Sequence, residues 1–221
     1  MVDYYIQELL SRGYEINDPW DIVDLFEERL AKYAGSKYAV CLDSCSNAIF
    51  LSLLYNDIVD RTVVLPKHTY ASVAMQCIHA GNKIKFVDQN WHGFYQIQGT
   101  NIIDSATRFR KKMYVPNSLF CLSFHHRKTL KIGRGGAILT DDKKFVDWCR
   151  PMIFDGRHKK VLHEVDNYEC IGYHMYMTPE DAAKGLLLFE DIKDINPDTG
   201  SSAEYKDLSK QEVFYPYIDH E

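Results

Sequence analysis

Lys128 stands in a segment suited to more than solvation. Ser123-Phe-His-His-Arg-Lys128-Thr-Leu-Lys-Ile-Gly-Arg-Gly-Gly136 opens at the end of the apolar run Leu119 to Ser123. It returns through a glycine-rich turn into a second apolar run, Ala137 to Thr140. A lysine alone in a loop is a solvated charge. One embedded between a strand end and such a turn is a better candidate for a working group. Two other strand ends carry polar residues. Asp43-Ser-Cys-Ser-Asn-Ala48 sets small hydroxyl residues where a helix begins. Backbone N–H groups and the helix dipole can hold an anion there, although the same pattern also makes a plain N-cap. Asp104 closes Asn101-Ile-Ile-Asp104, and a carboxylate in that place either works in a site or caps the next turn.

These residues need elements to bring them together, and the hydrophobic periodicity supplies an alternating series. A helix is expected from Pro19 to Ala34, with Asp18 as N-cap, Gly35 as stop, and Ile22, Val23, Phe26, Leu30 and Tyr33 on its buried face. Strands are expected at Tyr38–Leu42, Thr62–Leu65, Ile84–Asp88, Asn101–Asp104, Leu119–Ser123 and Ala137–Thr140. Helices are expected near Asn47–Tyr55, Ala71–Ala80 and Lys143–Cys149, and a last one over 178–190 opens at Thr178-Pro-Glu-Asp181. The alternation predicts an α/β fold: a mostly parallel mixed sheet flanked by helices, with polar residues gathered at the carboxyl ends of the strands. From Asn196 the chain turns polar and aperiodic, so a tail loosely ordered or draped on the surface is expected.

Composition narrows the classes. The chain has 221 residues and a formal net charge of −5, which argues against a nucleic-acid binder. No stretch is long and apolar enough for a membrane span, and the polar residues within Met1 to Leu10 do not suit a signal peptide, so a cytoplasmic location is expected. The six cysteines lack a disulfide rhythm and read as reduced thiols. His125-His126 and Cys121 lack the paired partners that zinc requires, so no metal is expected. The basic run Arg157-His-Lys-Lys160 reads as a solvated loop that could also steer a diphosphate.

In order and spacing, the segment Ser123 to Gly136 resembles the DegT/DnrJ/EryC1/StrS family of sugar aminotransferases. So do Ser44–Ala48, Pro66–Tyr70, Phe86–Asp88, Asp104–Ala106 and Gly172–Gly185. The resemblance runs from about Trp20 to Phe189 and implies the type I pyridoxal-phosphate transferase fold. It implies an N-terminal helical segment (1–35), a large α/β domain binding pyridoxal 5'-phosphate (36–160) and a reduced C-terminal region (161–221). It further implies that Lys128 carries the cofactor as a Schiff base and that Asp104 meets the pyridine nitrogen. Ser123, Cys45 and Ser46 would hold the phosphate, and Tyr70 would stack on the ring. Glutamate is the implied amino donor and a nucleotide-linked ketosugar the acceptor, in a homodimer whose sites are shared.

Several positions depart from the family's pattern. Thr107 stands where a Gln or His is usual beside the ring hydroxyl, and Arg134 replaces a common Glu. His174 occupies the place of an Asn that reaches the partner's phosphate, and Tyr176 that of an Arg. Two other classes therefore stand beside the aminotransferase: a catalytically silent binding or assembly subunit, and a lyase or dehydratase using the same cofactor.

Overall fold

The computed structural model of the protein describes residues 4–219; Met1 to Asp3, part of the N-terminal segment read above, lie outside it. Helix α1 (Tyr4–Ser11) precedes α2 (Pro19–Ala34). Asp18 starts α2 by accepting the Trp20 N–H, and Asp21 answers by accepting the Asp18 N–H at 2.9 Å. Gly35, at φ 87°, supplies the left-handed residue that ends the helix. The chain then alternates: β1 (Tyr38–Leu42), α3 (Cys45–Tyr55), β2 (Thr62–Pro66), α4 (Ala71–His79) and β3 (Lys83–Val87). Strands β4 (Tyr95–Gln96), β5 (Ile102–Asp104), β6 (Leu119–Ser123) and β7 (Gly136–Thr140) follow, then α5 (Lys143–Met152) and α6 (Pro179–Phe189).

The main sheet has the order β1-β7-β6-β5-β4, with β2 and β3 paired separately in parallel. A bridge between Val64 and Gln98 sets β2 beside the run that continues β4. The sheet is mixed, and less parallel than the alternation of elements suggests. β5–β6 is parallel, but β1–β7, β6–β7 and β4–β5 are antiparallel. The reason lies in the connections. No helix separates β6 from β7 or β4 from β5, and strands joined by a direct return pair antiparallel. β1, β5 and β6 still run the same way, so their carboxyl ends meet at one edge.

Side chains alternate across the sheet into two cores. Val40, Leu42, Leu119, Cys121 and Ile138 pack with α3, α4 and α5. Ala39, Cys41, Phe120, Leu122 and Leu139 pack with α1, α2 and α6, around Phe26, Phe124 and Phe189. Both faces are covered, which is why the strands read as continuous apolar runs. Glu27 is buried between α2 and β1, where it accepts the Cys41 N–H and takes Arg150 of α5 in a two-pronged pair at 2.6 and 3.0 Å.

The polar tail is more ordered than its composition suggests. It forms three short 3-10 turns at Ser202–Glu204, Leu208–Lys210 and Glu212–Tyr217. Leu208 and Phe214 are buried, and the Leu208 N–H donates to the Lys67 carbonyl at 2.8 Å. Two apolar anchors and backbone bonds fix a segment that has no periodicity of its own. Among the described residues, no helix is long and apolar enough to cross a membrane.

Candidate active site

The carboxyl ends of β1, β5 and β6 open onto a cleft of about 360 Å³. Its lining includes Ser44, Cys45 and Ser46 from the start of α3, Tyr70, Asp104, Thr107, Ser123 and Lys128. Residues separated by more than eighty positions thus share one surface.

Asp104 is buried at the end of β5. Its carboxylate accepts the Ala106 N–H at 3.0 Å and the Tyr95 O–H, and the Thr69 hydroxyl lies 2.6 Å from that phenol oxygen. The sense is Thr69 to Tyr95 to Asp104. Burial pushes the Asp104 carboxyl above the usual range; the two hydrogen bonds and the Lys128 charge oppose this without cancelling it. Such a group is short of positive charge, and a cationic N–H placed against it would be held firmly.

Lys128 is half-buried, and its loop is shaped by backbone: its N–H donates to the His125 carbonyl at 2.8 Å, and the Gly133 N–H to the Phe124 carbonyl at 3.0 Å. Opposite it, the first turn of α3 begins at Ser44, whose hydroxyl accepts the Asn47 N–H at 3.2 Å. The N–H groups of Cys45 and Ser46 precede the helix's own ladder, where an anion is favoured. Gly136 permits this arrangement: a Cβ there would lie 2.5 Å from the Cys45 nitrogen. Ser46 and Ser72 hydroxyls meet at 2.6 Å on the same side. Burial, then the Asp104 charge, raises the Cys45 thiol well above its ordinary value, leaving it protonated. Arg134, which reaches Asp43 at 2.8 Å, and Arg127 also line the cleft.

A pyridine ring bearing a phosphate and an aldehyde fits these groups. The carboxylate suits the ring nitrogen, the helix start suits the phosphate, and the lysine amine suits the aldehyde. Of the eight residues that the resemblance sets about the cofactor, all but His174 line this cleft. Tyr70 does so at the rim, 62% exposed. Thr107 is buried, with its hydroxyl 2.8 Å from the Gly93 carbonyl and 3.1 Å from that of Gly200, so its single proton is engaged with backbone. His174 is not brought to the cleft; it is exposed and bonded to Asp155 at 2.8 Å. The basic run is also elsewhere: Lys159 and Lys160 pair with Asp24 and Asp21, and His158 with Asp166 and Glu169. Sequence reasoning passed over Tyr95, Trp91 and Tyr205, which the fold adds to the site or its support. Trp91 and Tyr95 lie in an aperiodic stretch, and Tyr205 in the polar tail, so no local pattern marks them.

The family model described as the DegT/DnrJ/EryC1/StrS aminotransferase family, whose enzymes depend on pyridoxal 5'-phosphate, matches residues 5–113 and 116–206. The UDP-4-amino-4,6-dideoxy-N-acetyl-beta-L-altrosamine transaminase of Campylobacter jejuni is 23% identical over 81% of this chain and 57% of its own. The spore coat polysaccharide biosynthesis protein SpsC of Bacillus subtilis is 25% identical, over 86% of this chain and 61% of its own. This chain thus spans about three fifths of the length of these relatives. Among solved structures, AtS13 from Actinomadura melliaura shares the fold, with TM-score 0.68 and 18% identity over 86% of this chain and 66% of that one. The family match covers both halves of the cleft, from the start of α3 to Tyr205 in the tail, and the chain belongs to the DegT/DnrJ/EryC1/StrS aminotransferase family.

Proposed function

We propose that this chain is a pyridoxal 5'-phosphate-dependent sugar aminotransferase that moves an amino group from glutamate to a nucleotide-linked ketosugar, with Lys128 as the amine that joins the cofactor. The observation that carries the proposal is the meeting of Lys128, Asp104 and the start of α3 around one cleft. Family membership supports the transamination class, and the Campylobacter transaminase, named for a UDP-sugar, supports the acceptor class.

When bound, the cofactor supplies an electron-accepting ring conjugated to the carbon where amine exchange occurs. The protein's share is binding and proton transfer. Asp104 sets its charge against the ring nitrogen, and its unmet demand for a cation favours the protonated ring. The Cys45 and Ser46 N–H groups, with the Ser46 and Ser123 hydroxyls, hold the phosphate. Tyr70 covers the ring from the rim. Lys128, with its amine free and neutral, would move the proton between the substrate's α carbon and the cofactor's aldehyde-derived carbon. Thr107 holds the wall through Gly93 and Gly200 rather than the ring hydroxyl. Arg127 and Arg134 make the rim basic, which suits a diphosphate.

His174 lies outside its own cleft, which accords with a homodimer in which it serves the partner's phosphate. All six cysteines are free, which accords with a cytoplasmic enzyme.

Absorbance spectra of the protein with added cofactor, before and after glutamate, test the proposal. The expected result is a visible band that requires Lys128, absent in Lys128→Ala, and that moves to the ultraviolet with glutamate. A wild type with no lysine-dependent band refutes the enzyme reading.

A further inference from the structure

The segment from Asp198 to Leu208 is tied to both walls of the cleft. Asp198 has a fully buried side chain bonded to Arg108 at 2.6 and 3.0 Å, to Arg110 at 3.0 Å and to His92 at 2.9 Å. Room for this knot comes from Gly93, at φ 78°, where a Cβ would fall 2.4 Å from the Asp198 carboxylate. The Thr199 N–H donates to the Thr107 carbonyl at 2.8 Å, and the Ser202 N–H to the Trp91 carbonyl at 3.0 Å. Beyond Tyr205, the Leu208 N–H reaches the Lys67 carbonyl, three residues before Tyr70. His68 Nδ1 lies 2.9 Å from the carbonyl of Tyr205 itself.

What this strap delivers is one aromatic ring. Tyr205 is half-buried in the cleft lining, with its ring 5.6 Å from Trp91 and 6.5 Å edge-on to Tyr70. We propose that Tyr205 is a cofactor-binding residue, its ring forming the tail-side wall against which the pyridine ring rests. The inference rests on the cofactor chemistry proposed above and adds a residue to that site.

Tyr205 is a wall and not a plug, because the cleft keeps about 360 Å³ with the ring in place. That lies within the roughly 300–1,000 Å³ usual for small-molecule sites. Its phenol stays neutral: burial, then the Asp104 charge, pushes it up to about 12. It therefore adds an uncharged ring and not a second anion beside Asp104. The anchors on either side fix the ring before any ligand arrives, so little ordering entropy remains to be lost on binding.

Titration of pyridoxal 5'-phosphate into wild type, Lys128→Ala, Tyr205→Ala and Tyr205→Phe, followed by absorbance, tests the inference. Hydrogen exchange of residues 197–210, with and without the cofactor, accompanies it. Tyr205→Ala is expected to raise the dissociation constant about tenfold, and Tyr205→Phe, which keeps the ring, to stay within about twofold. The cofactor is expected to slow exchange across 197–210 in wild type. Equal affinity in a folded Tyr205→Ala makes the ring a bystander, and tighter binding makes it a plug; either overturns the inference. Should Tyr205→Ala fail to fold, unchanged exchange in wild type overturns it instead. Binding that needs Lys128 but ignores Tyr205 sinks this inference alone. A wild type that binds no cofactor sinks both.

Discussion

Replacing Asp104 by Asn should move stability and cofactor binding in opposite directions. The carboxylate is buried, and the Ala106 N–H, the Tyr95 O–H and Lys128 do not fully compensate its charge. A carboxyl whose folded pKa lies above its unfolded value binds protons more readily when folded. Stability therefore falls as pH rises from the ordinary carboxylate range through the raised value, and the cost is fully present above it. Asn keeps an acceptor for the Ala106 N–H and nearly the same volume, but it carries no charge. Without cofactor, Asp104→Asn should melt higher than wild type at neutral pH, with the advantage fading at acid pH where Asp104 is protonated. With cofactor the sign reverses. A charge-assisted hydrogen bond contributes about 1.5–3 kcal/mol, so its loss should weaken binding roughly ten- to a hundredfold. Urea denaturation at two pH values and absorbance titration of the cofactor read the two effects. A variant that is less stable without cofactor at neutral pH, yet binds it as tightly as wild type, would refute both the burial argument and the ring-nitrogen role.

Two further outcomes follow from the structure. Glu27→Ala removes the partner of Arg150 and the acceptor of the Cys41 N–H, both joining α2, β1 and α5. Breaking a buried pair costs about 3–5 kcal/mol; the Arg150 side chain is 35% exposed, so about 2–4 kcal/mol is expected, seen as a lower urea midpoint with unchanged slope. His158 is raised above its ordinary value by hydrogen bonds to Asp166 and then Glu169. Its contribution is present below the ordinary histidine pKa and lost as pH rises through the raised one. Protection of the amides in residues 157–170, relative to their intrinsic exchange rates, should therefore fall across that window in wild type, and an identical profile in His158→Ala would refute the assignment.

Local pattern alone located most of the elements, because buried strands and amphipathic helices carry their burial in their spacing. Helix α2 follows Asp18, Pro19 and Gly35 closely, since caps act within a few residues of their own position. Lys128, Asp104 and the Ser44–Ser46 start of α3 were also legible, because strand-end chemistry sits at recognisable breaks in the hydrophobic pattern. Strand direction was less so. The antiparallel pairings β4–β5 and β6–β7 depend on which strands a direct return brings side by side.

What only the tertiary structure decided is the company these residues keep. Tyr95 bears on Asp104 because β4 pairs with β5 and places Tyr95 opposite Asp104, a register no local signal encodes. Thr107 is spent on the Gly93 and Gly200 carbonyls because the tail passes there. Tyr205 reaches the cleft because Asp198 and Leu208, in a segment whose composition reads as unstructured, find a charge knot and an apolar slot far away in sequence. The chain by itself determined the α/β class, its caps and the groups able to do chemistry, since those depend on neighbours along the backbone. Their pairing, their burial and the electrostatic demand on Asp104 arise from contacts across the fold, and only folding sets them.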